Sequence, residues 1–416
     1  MKRLFKVTAL SAILTFLKIA IGFVIAKLVA VYTGPTGLAL LGQVQSVVAG
    51  FNGIANAPVG NGLIRYTAEC KNDSFESTSK WWIACSQWTL LLLCIIIPIG
   101  IIFSKQLAIW LFENPNWYWI IIIICFGLPL SAFGTLVNSV NNGLQRYRRL
   151  IGLGMISVFT SGLVMMYLII NHDLTGALLA VALQSSLMGI VMLFASFKEP
   201  WLKLRYWWGC SGLKEQKAIG GYVLMALTTA LTIPISMIVI RNVLVAEVGW
   251  ELTGHWQAVW KISEVYLGVI TIALGTYFLP TLAGIKGTVA IKAEINKITS
   301  FILPLVVVIA LSIYFFRDFI ITVLFTEEFR AARELFAIQL CGDVFKILAY
   351  IYGYPMLSRG ATKWFVATDI MFSLFFVFLS WYFVSNYGLQ GMPIAYCINY
   401  LTCFVFVYFG VNHFSK

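Results

Sequence analysis

The chain alternates long apolar runs with short polar breaks. Stretches such as QWTLLLLCIIIPIGIIF and YWIIIIICFGLPLSAFGTLVNSV carry no charge at all. An α-helix needs about 20 mostly apolar residues to cross the hydrocarbon core of a bilayer. By that criterion spans are predicted near 7–32, 38–64, 81–103, 117–141, 150–171 and 174–197. A second set is predicted near 220–246, 255–282, 299–320, 335–357, 363–385 and 389–412, about twelve in all. The longest polar break, KEPWLKLRYWWGCSGLKEQK at 198–217, separates the two sets. The pattern therefore predicts an all-α polytopic membrane protein with a six-helix lobe at 1–197, an interfacial linker at 198–218 and a second six-helix lobe at 219–416. Trp201, Tyr206, Trp207 and Trp208, set among cations, suit a linker lying on an anionic leaflet.

The two sets resemble each other. A shift of 215 residues lays HDLTGALLAVALQ (172–184) over YGLQGMPIAYCIN (387–399) and Arg148 over Lys363. A shift of 214 lays Lys27 over Arg241. Six crossings return the chain to its starting side, so equivalent helices run in the same direction. Such parallel repeats are related by an axis along the membrane normal, with a central cavity between lobes as the expected transport route.

Composition agrees with the pattern. Of 416 residues 60% are hydrophobic and 11% charged, against roughly 25% charged in soluble domains. The net charge of +12 is explained by the positive-inside rule rather than by nucleic acid, because no basic stripe with interleaved aromatics stands on a soluble domain. Of the 29 Lys and Arg, only Lys105, Arg317, Arg330 and Arg333 fall on one side, and Lys18, Lys27, Arg241, Lys261 and Lys346 fall inside spans. All the others share the opposite side, which places both termini in the cytoplasm. The start, MKRLFKVTALSAILTFLKIAIGFVIAKLVAVY, reads as a retained first helix and not as a cleaved signal. The eight cysteines contain no CxxC pair and the three histidines no ligand spacing, so no cofactor or metal is expected.

The intramembrane charges carry the chemistry. Placing an arginine at mid-bilayer costs from about 3 to more than 10 kcal/mol. Lys261 with Glu264, and Asp343 with Lys346, stand three apart on common helix faces. Each pair either neutralises itself for packing or serves transport. Gln257, Lys261, Glu264, Gly268, Thr271 and Gly275 form one polar or small face, echoed by Gly42, Ser46, Ala49, Gly53, Asn56 and Gly60. Such a stripe is either a packing face or the wall of a wet cavity. Lys18 and Lys27 point about 180° apart on their helix, so they do not share one narrow cavity. Arg241, in PISMIVIRNVLVA, has no acid three or four residues away, and a guanidinium facing a cavity grips phosphate bidentately. Asp369 is the remaining intramembrane acid.

The order PISMIVIRNVLVA … WQAVWKISEVYLGVITIALGTYFLPTLA … LPLVVVIALSIYFFRDFI … FRAARELFAIQLCGDVFKILAYIYGY resembles the bacterial Wzx-type flippases. These belong to the polysaccharide transport family of the multidrug/oligosaccharidyl-lipid/polysaccharide exporter superfamily. The likeness is strongest to the branch holding lipid III flippases and O-antigen translocases. It implies a V-shaped fold of two lobes in the bacterial inner membrane, which moves undecaprenyl-diphosphate-linked oligosaccharide from the cytoplasmic to the periplasmic leaflet. The substrate expected is an O-antigen repeat unit, with the lipid III of enterobacterial common antigen as the alternative. Expected partners are that glycolipid, membrane lipids, and the O-antigen polymerase and chain-length regulator. Arg241, Lys27 and Lys261 are the candidates for holding the diphosphate or other anionic groups. Glu264, Asp343 (with Lys346) and Asp369 are the candidates for coupling to H⁺ or Na⁺, since intramembrane carboxylates titrate or coordinate cations.

Two other classes fit less well. A polymerase or ligase needs catalytic residues on a large outer loop, and the loops near 104–117 and 318–334 are short and carry no nucleophile–base pair. An exporter of cationic drugs favours acids in its cavity, whereas cations outnumber acids five to three inside these spans.

Overall fold

In the computed structural model the described residues are 2–70, 74–285, 287–359 and 361–414, and every regular element among them is helical. The α-helices are α1 (Lys2–Asn56), α2 (Asn61–Glu69), α3 (Phe75–Ile102), α4 (Ser104–Phe112), α5 (Tyr118–Gly143) and α6 (Tyr147–Ser196). They continue as α7 (Leu213–Ala273), α8 (Leu279–Gly284), α9 (Thr288–Phe315), α10 (Arg317–Leu324), α11 (Phe336–Ser358), α12 (Thr362–Tyr387) and α13 (Gly391–Phe414). Among the cations assigned to one side from sequence, Lys71, Lys286 and Lys416 lie outside the described residues.

Eight continuous helical stretches are long and apolar enough to cross a membrane, and four of them run 50 to 61 residues. Fifty residues of α-helix extend about 75 Å against about 30 Å of hydrocarbon, so each of those four supplies two crossings. The chain is a multi-pass membrane protein, with crossings that match the twelve expected.

Each doubled stretch reverses at one residue of positive φ: Gly34 (φ 61°, ψ −164°), Asp173 (47°, −126°), Gly249 (81°, 171°) and Gly388 (58°, −142°). Positive φ with extended ψ is open to glycine and strained for any residue with a Cβ. Gly249 follows Gly34 by 215 residues, and Gly388 follows Asp173 by 215. The shift that aligns the sequences therefore also aligns the turns. A second pair of breaks follows the same pattern. Phe103 (φ −91°, ψ 11°) divides α3 from α4, and Phe316 (φ −94°, ψ 11°) divides α9 from α10. At these turns and breaks the internal repeat is also a repeat of backbone geometry.

By packing, the chain forms two units. The first holds the residues up to Tyr32 and Leu40–Ile235, and the second holds Thr33–Ala39 and everything from Ser236 onward. Helix α7 thus contributes its first part to one unit and the rest to the other. The tip at Thr33–Ala39 joins the second unit through a close backbone approach. A Cβ on Gly254 would stand 2.0 Å from the Pro35 carbonyl oxygen, so only glycine fits.

In the first unit the 198–217 linker is folded into the protein. Trp82 of α3 is fully buried, stacks on Trp207 at 4.8 Å and 8°, and meets Trp201 and Tyr206 edge-on at 6.4 Å each. Its indole N–H donates to Thr67 Oγ1 at 3.0 Å. Trp201, Tyr206 and Trp207 are buried, and only Trp208 of the four linker aromatics is exposed, at 69%. The expectation that all four lie on a leaflet is corrected. A neighbouring indole offers stacking and removal from water together, which an interface does not. The linker is pinned at both ends. Glu199 accepts from Arg146 at 2.7 Å and pairs with Arg149, while Gln87 and Trp88 donate to the carbonyls of Gly209 and Gln216.

Candidate charge and aromatic site of the second unit

The site is assembled on α7, α11 and α13. Arg241 lies on α7 before the Gly249 turn and is 3% exposed. Its Nε donates to Gln257 Oε1 at 3.0 Å, an Nη donates to the Met237 carbonyl at 3.3 Å, and the guanidinium lies 6.0 Å from the Trp256 ring. The Gly249 reversal is what brings Gln257 and Trp256 back alongside Arg241. A buried guanidinium is tolerable only when its donors are used, and here two are fixed by neutral acceptors that orient it.

One turn beyond Gln257 the polar stripe continues. Lys261 Nζ donates to Glu264 Oε2 at 2.8 Å, with side-chain exposures of 24% and 57%. The two small-residue stripes differ in what they face. In the first unit a Cβ on Gly53 would fall 2.5 Å from the Cβ of Ala230, so that stripe packs a helix. In the second, a Cβ on Gly268 would meet nothing within 4 Å. At Glu264 and Gly268 the second stripe is open.

Asp343, on α11, is fully buried and accepts three hydroxyl hydrogen bonds: from Ser263 and Tyr266 to Oδ2, both at 2.7 Å, and from Tyr396 to Oδ1 at 2.8 Å. Lys346 shares its helix face, yet its ammonium lies against rings, 5.2 Å from Trp260, 5.5 Å from Tyr396 and 5.1 Å from Tyr400. Among the described residues no ion pair within 4 Å joins Lys346 to Asp343. The sequence spacing of three identifies the face and misses the partners.

The rings themselves are connected. Trp256 lies 5.4 Å from Trp260, Trp260 5.5 Å from Tyr396, and Tyr396 4.8 Å from Tyr400. Aromatic contact thus runs from the Arg241 guanidinium to the Lys346 ammonium. Trp256 with Trp260, and Tyr396 with Tyr400, are spaced i,i+4. That spacing was the available sequence signal for them, and it places each pair on one helix face. Ser263 and Tyr266 carry no such signal.

The other candidates make no hydrogen bond or ring contact within this cluster, although Asp369 lies near enough to Tyr400 to act on it electrostatically. Asp369, on α12, makes none of the contacts above, and its buried Oδ2 accepts no hydrogen bond from a described residue. Lys27 belongs to the first unit, partly buried, seven residues before Gly34, much as Arg241 precedes Gly249 by eight. Lys18 is exposed. Among the described residues of the second unit nothing bonds either end of the Gln339 amide, which is fully buried one turn from Asp343 on α11, nor Trp256 Nε1 nor Asn399 Oδ1. Buried polar atoms without partners mark positions that water or a ligand satisfies.

Comparison with known proteins places this geometry. The family described as polysaccharide biosynthesis protein matches residues 69–334. The lipid III flippases of Escherichia coli K12 and Shigella flexneri are each 29% identical over 406 residues, covering 96% of both chains. An inward-facing multidrug-resistance MATE transporter of the MOP superfamily superposes with a TM-score of 0.74 at 17% identity, over 97% of this chain and 95% of that one. A MOP-superfamily transporter from Pyrococcus furiosus, whose binding pocket is described as reversed in polarity, gives 0.66 at 15%, over 99% and 96%. The fold is that of MATE transporters of the MOP superfamily, and these relatives are named as flippases and transporters, not as catalysts.

Proposed function

Because the chain belongs to the polysaccharide biosynthesis protein family, we propose that it is a flippase for a lipid-linked oligosaccharide. In this reading the substrate is an undecaprenyl-diphosphate-linked O-antigen repeat unit, carried from the cytoplasmic to the periplasmic leaflet of the bacterial inner membrane. Both termini and the linker lie in the cytoplasm.

The observation that carries the reading is the buried, pre-oriented Arg241 beside an open polar stripe. A diphosphate and its sugars do not cross about 30 Å of hydrocarbon unaided. A guanidinium whose plane is fixed by Gln257 offers charge and a fork of donors to phosphate at little further ordering cost. Lys261, with Glu264, stands one turn away on the stripe, and Lys27 occupies the corresponding place in the first unit. Alternating access moves the head group while the prenyl tail stays in lipid, with Glu264, Asp343 and Asp369 as the acids through which H⁺ or Na⁺ drives the cycle.

The second reading is lipid III as substrate, favoured by the names of the two 29% identical relatives. One experiment addresses class and substrate together. The chain is expressed in strains lacking either the O-antigen flippase or the lipid III flippase, and surface glycan is measured. Restored O-antigen supports the first reading, and restored common antigen alone supports the second. Failure in both, with the protein inserted and abundant, overturns the flippase assignment for these glycolipids.

A further inference from the structure

We propose that Trp260, Tyr396 and Tyr400 form a binding site for a primary alkylammonium ion, and that the Lys346 side chain is its resident occupant. Three rings from two helices, α7 and α13, converge on the ammonium of a third, α11, at 5.1–5.5 Å. Each distance lies within the roughly 6 Å over which a ring face attracts a cation, and several rings around one cation are how proteins recognise ammonium groups. The rings are held by more than the lysine. Tyr396 is fully buried and tied to Asp343 through its hydroxyl. Trp260 and Tyr396 meet edge-on at 78°, and Tyr396 and Tyr400 at 68°. The cage is therefore a feature of the packed helices, not a shape imposed by one side chain.

The Asp343 carboxylate completes the site at a distance. Its bonds go to Ser263, Tyr266 and Tyr396, so it attracts the ammonium through its field without grasping it. Among the described residues nothing accepts a hydrogen bond from Lys346 Nζ, which leaves the ring faces as its contacts. A buried acid needs a counter-charge from some source. In this chain the counter-charge is covalently attached. It follows, if the transport reading above holds, that of the three candidate acids Asp343 is the one that needs no diffusible monovalent metal cation for neutralisation, which leaves any Na⁺ coupling to Glu264 or Asp369.

The test uses the purified full-length chain in detergent. Lys346→Ala deletes Cγ, Cδ, Cε and Nζ, which together are n-propylamine. Thermal unfolding is followed for wild type and variant across methyl- to pentylammonium chloride, with sodium chloride at equal ionic strength as control. The variant is expected to unfold at lower temperature than wild type and to recover saturably by about 1–3 °C, most with the propyl homologue. Wild type, its cage filled, is expected to respond only as it does to sodium chloride. Adding Tyr400→Leu to the alanine variant is expected to abolish the recovery. If Lys346→Ala does not fold, Lys346→Met keeps the stem and removes the head, and ammonium or methylammonium becomes the expected stabiliser. Equal responses in wild type and variant, or a variant that treats alkylammonium as it treats sodium, overturn the proposal. Because the readout is stability, it stands or falls separately from any transport result.

Discussion

At Arg241 the structure sets two demands against each other. The guanidinium is buried, which is costly, and it is oriented, which is useful for gripping an anion. Arg241→Lys keeps the charge and loses the fork, so surface glycan is expected to fall without disappearing. Arg241→Ala is expected to abolish display, and it also strands the Gln257 carbonyl, costing about 1–2 kcal/mol of stability. Immunoblotting of membranes beside the glycan measurement separates the two effects: glycan lost with most of the protein retained supports a role in transport. The acids are expected to differ in the same assay. Asp343→Asn places an NH₂ where the carboxylate now only accepts, breaking at least one of three hydroxyl bonds, and costs about 1–3 kcal/mol. Asp369→Asn removes a charge from an oxygen that no described residue bonds, so its thermal unfolding is expected to stay near wild type. Sequence spacing pointed to all these charges because an intramembrane charge stands out against apolar neighbours. It did not reveal how Asp343 is satisfied, because Tyr396 lies 53 residues away and Tyr266 and Ser263 lie 77 and 80 away. Such pairings depend on tertiary packing of α7, α11 and α13.

Among the elements, the four hairpin turns share one backbone geometry but not one residue type. Gly34, Gly249 and Gly388 are glycines where the backbone demands them, and Asp173 occupies the fourth equivalent turn with φ 47° and ψ −126°. Asp173→Gly is expected to raise stability by about 1 kcal/mol by removing that strain, and Gly388→Ala to lower it by about 1–2 kcal/mol, both read by thermal unfolding in detergent. The 215-residue shift was visible in the sequence through Leu174, Gly176 and their counterparts. The strained Asp173 was not, because an aspartate in a polar break signals only a turn. The linker shows the opposite failure. Its aromatics among cations fit an interfacial segment by composition, and Trp82, the ring that claims them, lies more than a hundred residues earlier. Trp82→Ala is expected to cost about 3–5 kcal/mol and to expose the linker to protease at its basic residues.

On the scale of the molecule, the number of crossings and the two-set organisation were legible because hydropathy reports directly on bilayer thickness. Sidedness rests on charge alone. Single cysteines placed near residues 110, 250 and 325 in a cysteine-free chain are expected to react with impermeant maleimide from the periplasm, and one at 208 only after the membrane is opened. Periplasmic labelling at 208 is the result that overturns this topology. What hydropathy does not report is which segments pack together. The tip at Thr33–Ala39 is contiguous with the first set of spans and packs with the second unit, where Gly254 lies against the Pro35 carbonyl and Gly34 near Glu328.

That borrowed tip sets a schedule for synthesis. Pro35 leaves the ribosome about 220 residues before Gly254, its packing partner, has been made. At about 5–20 residues per second the delay is roughly 10–45 s, long compared with hairpin insertion and helix pairing. During that interval the first unit can fold around its own core, while the Thr33–Ala39 turn waits without the partner it packs against. A cysteine at Thr36 in ribosome-stalled chains ending before residue 254 is expected to be labelled rapidly, and the same cysteine in the finished protein slowly. The second unit, though encoded last, thus completes itself with a segment synthesised almost first.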